Sequence, residues 1–306
     1  MKILFIDKVH PLLKKELEKK KHICHTVYNK NKNEIANIIN HYEGVIIRSK
    51  IKIDKLFIDK AKNLKFIARA GSGLENIDTS YLAKKQIKCY NAGEGNKQAV
   101  AEHALGMLLS LFNNLRVSDQ EIREGKWNRE KNRGIEIYGK KIGIIGYGKT
   151  GSTFANLLNG FGVKLLIYDK YLKKYPNKYS MEEIFKEADI ISLHVPLTEE
   201  TKYLINKIFI NRFKKPIYLI NTARGKCVKT EDLVNALKNK KIKGACLDVL
   251  EYEKESFEEI MQYDTNLNYI INSNKVILSP HIAGWTIESN IKIAEILLKK
   301  IISDFD

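Results

Sequence analysis

Three short segments that each follow a predicted strand carry residue types suited to acid–base chemistry. They are NTARG, which contains Arg224, LDVLEYE, which ends at Glu253, and SPHIAG, which contains His281. A guanidinium can bind a carboxylate and polarise a carbonyl. An imidazole can exchange a proton with the same oxygen, and a carboxylate on its other nitrogen orients the ring. This set suits hydride transfer between a 2-hydroxy acid and a 2-oxo acid.

Each of these residues also has a purely structural interpretation. Arg224 could be a surface cation, His281 a capped loop residue after Pro280, and Glu253 one carboxylate of a solvated acidic stretch. Their joint occurrence favours catalysis, because the carboxyl ends of strands in a doubly wound sheet line the ligand crevice. Glu251 is the alternative to Glu253 as the partner of the histidine.

A glycine-rich turn lies upstream of these segments. The residues Gly146-Tyr147-Gly148-Lys149-Thr150-Gly151 have GxGxxG spacing, with an apolar strand pattern before them and a helical pattern after them. The glycines allow a tight turn, close approach of a pyrophosphate and close helix packing. Asp169 ends the next strand, 21 residues after Gly148. A carboxylate there can bond both ribose hydroxyls and repels a 2′-phosphate, so NAD is favoured over NADP. The alternative is a strand–turn–helix that binds nothing.

Two features of the first hundred residues suit an acidic substrate. Arg48-Ser49 follows a predicted strand, and Gly71-Ser72-Gly73 forms a predicted turn. Backbone N–H groups of such a turn can bind a carboxylate, and Arg48 could bind an anionic group at the far end, such as a phosphate. With Arg224 and His281, these five residues form the predicted substrate-binding set. The alternative for Arg48 is a solvated residue at a strand end.

Two α/β patterns must position these residues. Short apolar runs alternate with helical patterns, which is typical of parallel sheets covered by helices. The predicted strands lie near 2–6, 23–27, 44–48, 65–69 and 86–90, and then near 141–148, 163–169, 188–195, 216–223, 242–249 and 275–280. A largely apolar helix is predicted at about 97–117, a polar irregular segment at 118–139, and an amphipathic C-terminal helix that packs on the first pattern. The predicted fold is α/β with two doubly wound parallel-sheet domains.

The composition argues against several classes of protein. The 306 residues include 53 Lys and Arg against 36 Asp and Glu, a net charge of +17, but only eight of the cations are Arg. DNA readout relies heavily on Arg, so nucleic acid is not an expected partner. No apolar run approaches the length of a membrane span, and the first residues do not resemble a secretory signal. We therefore expect a cytoplasmic protein with no membrane partner.

No metal site or disulfide framework is expected. The four cysteines, which form no CxxC pair, are Cys24, Cys89, Cys227 and Cys246. Scattered cysteines suit a reducing compartment. His22, Cys24 and His25 are close in sequence, but a strand places them on two faces. Glu102 and His103 are neighbours that diverge by roughly 100° around a helix, and we interpret both as packing residues.

These motifs together resemble the D-isomer-specific 2-hydroxyacid dehydrogenase family. GYGKTG with Asp169, LHVPLTEET, INTARG, the LDV stretch up to Glu253, and SPHIAGWT occur in the order and spacing of the family. So do RAGSGLENID and NAGEGNKQAVAEHALGMLL, and the resemblance covers essentially the whole chain. It implies NAD as the cofactor and Arg224, Glu253 and His281 as the catalytic set. The residues implied or predicted to bind the cofactor are Gly146, Gly148, Lys149, Thr150, Gly151, Asp169, His194, Val195, Pro196, Thr222, Ala223, Arg224, Asp248, His281, Ala283 and Gly284.

The resemblance also implies a domain plan. A smaller, flavodoxin-like substrate-binding domain is expected at 1–96 plus 285–306, and a Rossmann NAD-binding domain at 97–284. In this family the two domains close over a cleft, and the helix and arm at 97–139 build a homodimer. We expect a short form without a regulatory domain. The sequence departs from the family at Gly93 and Lys254, where proline is common.

The expected activity is NAD-dependent oxidation of a D-2-hydroxy acid. The resemblance is closest to members that act on 3-phospho-D-glycerate, which carry Arg-Ser at Arg48-Ser49 and form 3-phosphohydroxypyruvate in the first step of serine biosynthesis. One alternative is a glyoxylate or hydroxypyruvate reductase, or a dehydrogenase for another D-2-hydroxy acid. An alternative of another class is a binding protein that senses NAD(H).

Overall fold

The computed structural model describes residues 1–254, 260 and 264–305. Among these residues, one compact unit comprises Met1–Lys97, Lys254 and 285–305, and the other comprises Gln98–Glu253, Ile260 and 264–284. None of the helices in the described part of the chain is both long enough and apolar enough to cross a bilayer.

The first unit is built on a parallel sheet that has five strands among the described residues. They are β1 (Lys2–Phe5), β2 (Ile23–Thr26), β3 (Gly44–Ile47), β4 (Phe66–Arg69) and β5 (Lys88–Tyr90). The spatial order is β2-β1-β3-β4-β5, which is the flavodoxin-like doubly wound order. The helices of this unit are α1 (Pro11–Lys19), α2 (Lys32–Ile38), α3 (Lys55–Lys60), α4 (Thr79–Lys84) and α12 (Ile287–Phe305).

Local sequence explains where these helices begin. Pro11 occupies the first turn of α1, where its missing N–H costs nothing. Asn31 and Glu34 form a reciprocal capping box at α2, and Asp54 and Asp78 cap α3 and α4. The helix α12 packs Leu297 and neighbouring apolar residues into a core shared with β1 and α1.

The second unit is built on a parallel sheet that has six strands among the described residues. They are β6 (Lys141–Ile145), β7 (Lys164–Tyr168), β8 (Ile190–Leu193), β9 (Ile217–Asn221), β10 (Ile242–Leu247) and β11 (Val276–Leu278). The spatial order is β11-β10-β9-β8-β6-β7. A single parallel bridge from Lys178 to Ile167 extends the sheet beyond β7. Counted as a short third strand, this bridge gives the Rossmann order. The predicted fold class, with two doubly wound parallel sheets, is therefore confirmed.

Seven helices in the described residues accompany the second sheet. The first, α5 (Gly93–Phe112), begins before the unit boundary at Gln98. The others are α6 (Leu115–Arg123), α7 (Lys149–Leu158), α8 (Met181–Glu187), α9 (Lys207–Arg212), α10 (Thr230–Lys238) and α11 (Thr265–Asn272).

The predicted single helix at 97–117 is wrong. The chain breaks between α5 and α6 at Asn114, whose φ of 52° is left-handed. Asparagine tolerates this conformation better than most residues, so an apolar pattern that continues across it does not keep the helix intact.

The segment at 118–139 is also more ordered than predicted. Its first residues belong to α6, and the buried side chain of Glu121 accepts hydrogen bonds from Asn128 (3.1 Å), Lys131 (2.5 Å) and Asn132 (2.7 Å). These bonds lower the pKa of the Glu121 carboxyl to about 2, and the bond from Lys131 has the largest effect. The carboxylate therefore anchors the following residues over α6.

Candidate active site

The glycine turn after β6 has the close contacts that require glycine. Gly146 has a φ of +92°, and a Cβ there would lie 2.5 Å from the carbonyl oxygen of His194. A Cβ at Gly151 would collide with the carbonyl oxygen of Gly146. At Gly148, the N-cap of α7, a Cβ would meet nothing within 4 Å. The turn is therefore tightly packed on the sheet side and open where the helix begins.

The carboxylate of Asp169 joins this turn to the end of β7. It accepts hydrogen bonds from the backbone N–H groups of Tyr147 (2.8 Å), Tyr171 (2.9 Å) and Leu172 (2.9 Å). Burial alone would raise the pKa of Asp169, but the three backbone bonds outweigh it and hold the pKa below its usual value. The group is therefore ionised at neutral pH.

The segment after β8 forms the other side of the turn. The ring of His194 is buried, bonds Ser192 Oγ at 2.8 Å and packs 5.2 Å from the Phe154 ring. Burial lowers the pKa of His194 to about 4, so the ring is neutral. Its backbone carbonyl, not its imidazole, faces Gly146. Val195 and Pro196 continue the segment, and Thr201 Oγ1 donates to the Pro196 carbonyl at 2.6 Å. The cofactor roles of all three stay predictions.

These residues fit NAD. The backbone at Gly148, where α7 begins, is open to a ligand, and the start of the helix offers a positive dipole end that binds phosphate groups. The side-chain oxygen of Thr222, after β9, is buried with no hydrogen-bond partner among the described residues. A buried hydroxyl without a partner is costly, and a bound ligand would relieve that cost. Asp169 is the ionised carboxylate expected at the ribose.

The structure joins His281 to Glu253. His281 Nδ1 lies 2.7 Å from Glu253 Oε2, and the side chains are 24% and 14% exposed. The other oxygen of Glu253 accepts the Leu250 N–H at 2.5 Å. Since a carboxylate only accepts hydrogen bonds, Nδ1 carries the proton. Glu251, the alternative partner, instead accepts the Thr230 N–H at 2.8 Å.

The loop that carries His281 is held by the buried Asp248. The φ of His281 is 56°, and its N–H donates to the Asp248 carbonyl at 2.7 Å. The Asp248 carboxylate accepts from Ser279 Oγ (2.6 Å), Ile282 N (2.8 Å) and Ala283 N (2.9 Å). Both oxygens of Asp248 thus bind this loop, and the cofactor contact that the resemblance implies for Asp248 stays a prediction.

The third predicted catalytic residue, Arg224, belongs to a loop packed against the segment that contains Glu253. Arg224 Nη1 donates to the Ala223 carbonyl at 2.7 Å, and Asn221 Nδ2 donates to the Arg224 carbonyl at 3.0 Å. A Cβ on the adjacent Gly225 would collide with the Leu250 carbonyl. Because β9, β10 and β11 are neighbours, the three loops after them gather Arg224, Glu253 and His281 at one edge of the sheet.

The predicted substrate-binding residues of the first unit lie at the carboxyl ends of β3 and β4. The N–H groups of Arg48 and Ser49 donate to Asp7 Oδ2 at 2.5 and 3.1 Å. The Arg48 guanidinium lies 4.0 Å from the centre of the Trp285 ring. This stacking and the anchor at Asp7 were not predicted, because the partners are distant in sequence.

The glycine turn of this unit covers a buried arginine. Arg69 is 8% exposed and donates from Nε to the Arg48 carbonyl at 3.1 Å. Gly71 has a φ of +156°, and a Cβ there would collide with the Arg69 guanidinium. Ser72 Oγ donates to Asn96 Oδ1 at 2.7 Å, and Gly73 continues the turn. Sequence reasoning missed Arg69, although an arginine ending a buried strand before GSG was a usable signal.

The residues considered for metal binding have other contacts. His22 Nδ1 lies 3.2 Å from the Met1 amino group, and His25 Nδ1 lies 3.0 Å from the Tyr42 hydroxyl. Within 1–254, 260 and 264–305, no group of three His, Cys, Asp or Glu side chains is placed to hold a metal ion. His103, a predicted packing residue, bonds Ser279 at 2.8 Å and so contacts the loop of His281.

Several known proteins are similar to this chain in sequence and in fold. A family model described as "D-isomer specific 2-hydroxyacid dehydrogenase, NAD binding domain" matches residues 105–283. A hydroxypyruvate reductase of Thermotoga maritima is 35% identical, over 89% of this chain and 88% of its own. A D-3-phosphoglycerate dehydrogenase of Synechocystis sp. is 34% identical, over 85% of this chain but 46% of its own length. The chain thus spans about half the length of that relative.

A solved structure extends the similarity to the whole fold. The D-lactate dehydrogenase of Aquifex aeolicus, complexed with NAD and lactic acid, matches with a TM-score of 0.84 and 29% identity, over 99% of this chain and 95% of its own. The motifs, the two sheets and the match to the NAD-binding domain agree, so the protein is an NAD-dependent oxidoreductase that belongs to the D-isomer-specific 2-hydroxyacid dehydrogenase family.

Proposed function

We propose that the protein interconverts 3-phospho-D-glycerate and 3-phosphohydroxypyruvate, the entry step to serine. The observation that carries this choice is the cationic end of the first sheet, where Arg48 stacks on Trp285 and bonds through its carbonyl to the buried Arg69. Guanidinium groups bind phosphate through several charge-assisted hydrogen bonds. The phosphate of 3-phosphohydroxypyruvate could bind these guanidinium groups, whereas glyoxylate has no second anionic group to bind them.

The reacting end of the substrate is proposed to meet Arg224, His281 and Glu253. Bound NAD⁺ would accept the hydride in the oxidation, and bound NADH would supply it in the reduction. Arg224 binds the substrate carboxylate and polarises the 2-oxo group. His281 gives a proton to the oxygen from Nε2 during reduction, or removes it during oxidation. Glu253 keeps the proton of His281 on Nδ1 and orients the ring through their hydrogen bond of 2.7 Å.

Substrate binding is proposed to involve further groups of the first unit. The N–H groups of the turn Gly71-Ser72-Gly73 bind the substrate carboxylate. Ser49, held through its own N–H by Asp7 at 3.1 Å, fixes the backbone beside Arg48. The cofactor contacts proposed for Lys149, Thr150, Ala283 and Gly284 follow the family pattern.

A second candidate is a hydroxypyruvate or glyoxylate reductase. The observation that favours it is length, since the Thermotoga maritima hydroxypyruvate reductase matches over 88% of its chain and a glyoxylate reductase of Thermofilum pendens, 34% identical, over 86%.

The two candidates differ in the expected effect of Arg48. We would follow NADH oxidation with 3-phosphohydroxypyruvate, hydroxypyruvate, glyoxylate and pyruvate. Loss of charge-assisted bonds worth about 1.5–3 kcal/mol predicts that Arg48→Ala raises KM for 3-phosphohydroxypyruvate about tenfold to a hundredfold. Hydroxypyruvate has no phosphate for Arg48 to bind. Its KM is therefore expected to change less than threefold, because groups that do not interact usually affect each other by no more than about 0.5 kcal/mol.

A matched control is Arg212→Ala. Arg212 also stacks on an aromatic ring, 4.1 Å from the centre of Phe185, but it lies on α9. Its removal is expected to leave both KM values unchanged. Equal KM increases for the two acids in Arg48→Ala, or a higher kcat/KM for hydroxypyruvate in the unmodified protein, would favour the reductase. No turnover of any acid would favour an NAD(H)-sensing protein.

We also propose a cytoplasmic homodimer. Cys24, Cys89 and Cys246 are thiols that belong to no disulfide, which suits a reducing compartment. Exposed apolar side chains are frequent between α5 and β6, which suits burial against a second copy; they are Leu115, Ile122, Trp127, Ile135 and Tyr138.

A further inference from the structure

A chain of three side chains links the helix α5 to the loop of His281. His103 Nε2 lies 2.8 Å from Ser279 Oγ, and Ser279 Oγ lies 2.6 Å from Asp248 Oδ1. His103 and Ser279 are 176 positions apart in sequence, and Ser279 and Asp248 are 31 positions apart. His103 is not part of the predicted catalytic, cofactor-binding or substrate-binding sets.

The direction of this chain follows from the number of protons. The Asp248 carboxylate only accepts, so the single hydroxyl proton of Ser279 is donated to it. Ser279 Oγ then accepts from its other side, which makes His103 Nε2 the donor. The hydrogen bonds therefore run from His103 to Ser279 to Asp248, and the ring nitrogen lies 3.6 Å from the carboxylate itself.

The receiving carboxylate fixes the backbone around His281. Asp248 Oδ1 also accepts the Ile282 N–H at 2.8 Å, and Oδ2 accepts the Ala283 N–H at 2.9 Å. In sequence, His281 lies between Ser279 and Ile282, which both bond Asp248, and its φ is 56°. A left-handed histidine costs free energy and persists only where its surroundings hold it. Any rotation of the Asp248 carboxylate would therefore change the position of the His281 imidazole.

We propose that His103 is a positioning residue for the catalytic histidine, acting through Ser279 and Asp248. By donating to Ser279 it fills the acceptor side of that hydroxyl. The hydroxyl proton then goes to the charged Asp248 Oδ1 at 2.6 Å rather than to the weaker acceptor Met107 Sδ at 3.7 Å, and this bond fixes the carboxylate that holds the loop. This inference rests on the proposed role of His281 in proton transfer, but not on which 2-oxo acid is the substrate.

The test uses His103→Ala, His103→Gln and Ser279→Ala in the full-length protein, with the 2-oxo acid that the unmodified protein reduces fastest. Misplacement of a catalytic group by about 1 Å can cost roughly a hundredfold. We expect kcat to fall about tenfold to a hundredfold in His103→Ala, with the Kd for NADH, measured by fluorescence, within twofold of its original value. His103→Gln, which retains an N–H donor at a similar reach, is expected to restore most of kcat.

A double variant tests whether His103 and Ser279 act through the same series of hydrogen bonds or independently. Because both substitutions break the same chain, His103→Ala with Ser279→Ala is expected to lose little more kcat than either alone. Losses that multiply, a His103→Gln variant as slow as His103→Ala, or a kcat unaffected by His103→Ala would overturn the proposal. The control is His25→Ala, which removes a histidine–hydroxyl bond of 3.0 Å in the first unit and is expected to leave kcat unchanged.

A readout without cofactor or substrate separates this inference from the proposed function. The Nδ1 proton of His281, bonded to Glu253 at 2.7 Å, is expected as a downfield NMR resonance. We expect His103→Ala to shift or broaden it and His103→Gln to return it. An unchanged resonance in His103→Ala would contradict the positioning role even if the enzyme reduces every acid tested. Failure to reduce any acid, with the expected NMR change, would instead refute only the proposed function.

Discussion

The charge of Asp169 should decide which dinucleotide the protein prefers. Its carboxylate is ionised, because three backbone N–H bonds lower its pKa, and a 2′-phosphate placed near it would be repelled. Two charges about 4 Å apart interact by about 1–4 kcal/mol in water or near a protein surface. Asp169→Asn keeps the shape and removes the charge. We expect the ratio of kcat/KM for NADH over NADPH to fall at least about tenfold.

The control for this prediction is a carboxylate at the other end of the same sheet. Glu187 bonds Lys141 Nζ at 2.8 Å, beside the start of β6. Glu187→Gln is expected to leave the ratio unchanged. If Asp169→Asn kept the full preference for NADH, the discrimination would have to come from other groups.

At the scale of elements, Gly225 is predicted to be essential for the packing of two catalytic loops. A Cβ there would collide with the Leu250 carbonyl, and overpacking typically costs about 1–3 kcal/mol. Gly225→Ala is therefore expected to lower Tm and, by displacing Arg224 from the loop of Glu253, to lower kcat about tenfold or more. Both are measured by thermal unfolding and steady-state kinetics.

Gly160→Ala is a matched control for this substitution. Like Gly225, Gly160 lies in a short 3₁₀ helix, but a Cβ there would meet nothing within 4 Å. Its Tm and kcat are expected to stay near those of the unmodified protein. A Gly225→Ala variant as stable and as active as Gly160→Ala would contradict the role of this close packing.

Elements with strong local signals were predictable from the sequence. The strands β6, β7 and β8 are short apolar runs, and the GxGxxG after β6 marks both the turn and the start of α7. Features that depend on distant partners were not. The bridge at Lys178 has no apolar pattern and forms only because it pairs with Ile167. The contact between His103 and Ser279 joins residues that no local pattern relates.

For the whole molecule, the distribution of exposed apolar surface predicts how copies associate. Trp127 and Tyr138 are 77% and 73% exposed, and Ile122 on α6 is 49% exposed. Large exposed apolar groups that recur in one segment mark interaction surfaces. The Glu121 carboxylate, bonded to Asn128, Lys131 and Asn132, holds part of that segment in a fixed conformation. A preordered apolar surface loses less conformational entropy on association than a disordered one.

Replacing this surface should therefore yield monomers. We expect the unmodified protein to sediment as a dimer at micromolar concentration, and the double variant Trp127→Gln with Ile122→Gln as a monomer with an unchanged Tm at low concentration. The matched control is Ile208→Gln on α9, which is 78% exposed but lies outside this segment, and it should remain a dimer. An unmodified protein that sediments as a monomer at every concentration, or a double variant that stays dimeric, would show that the segment between α5 and β6 does not join two copies. Because Arg224, Glu253 and His281 come from adjacent strands of one sheet, the monomeric variant should still bind NADH with a Kd close to that of the dimer.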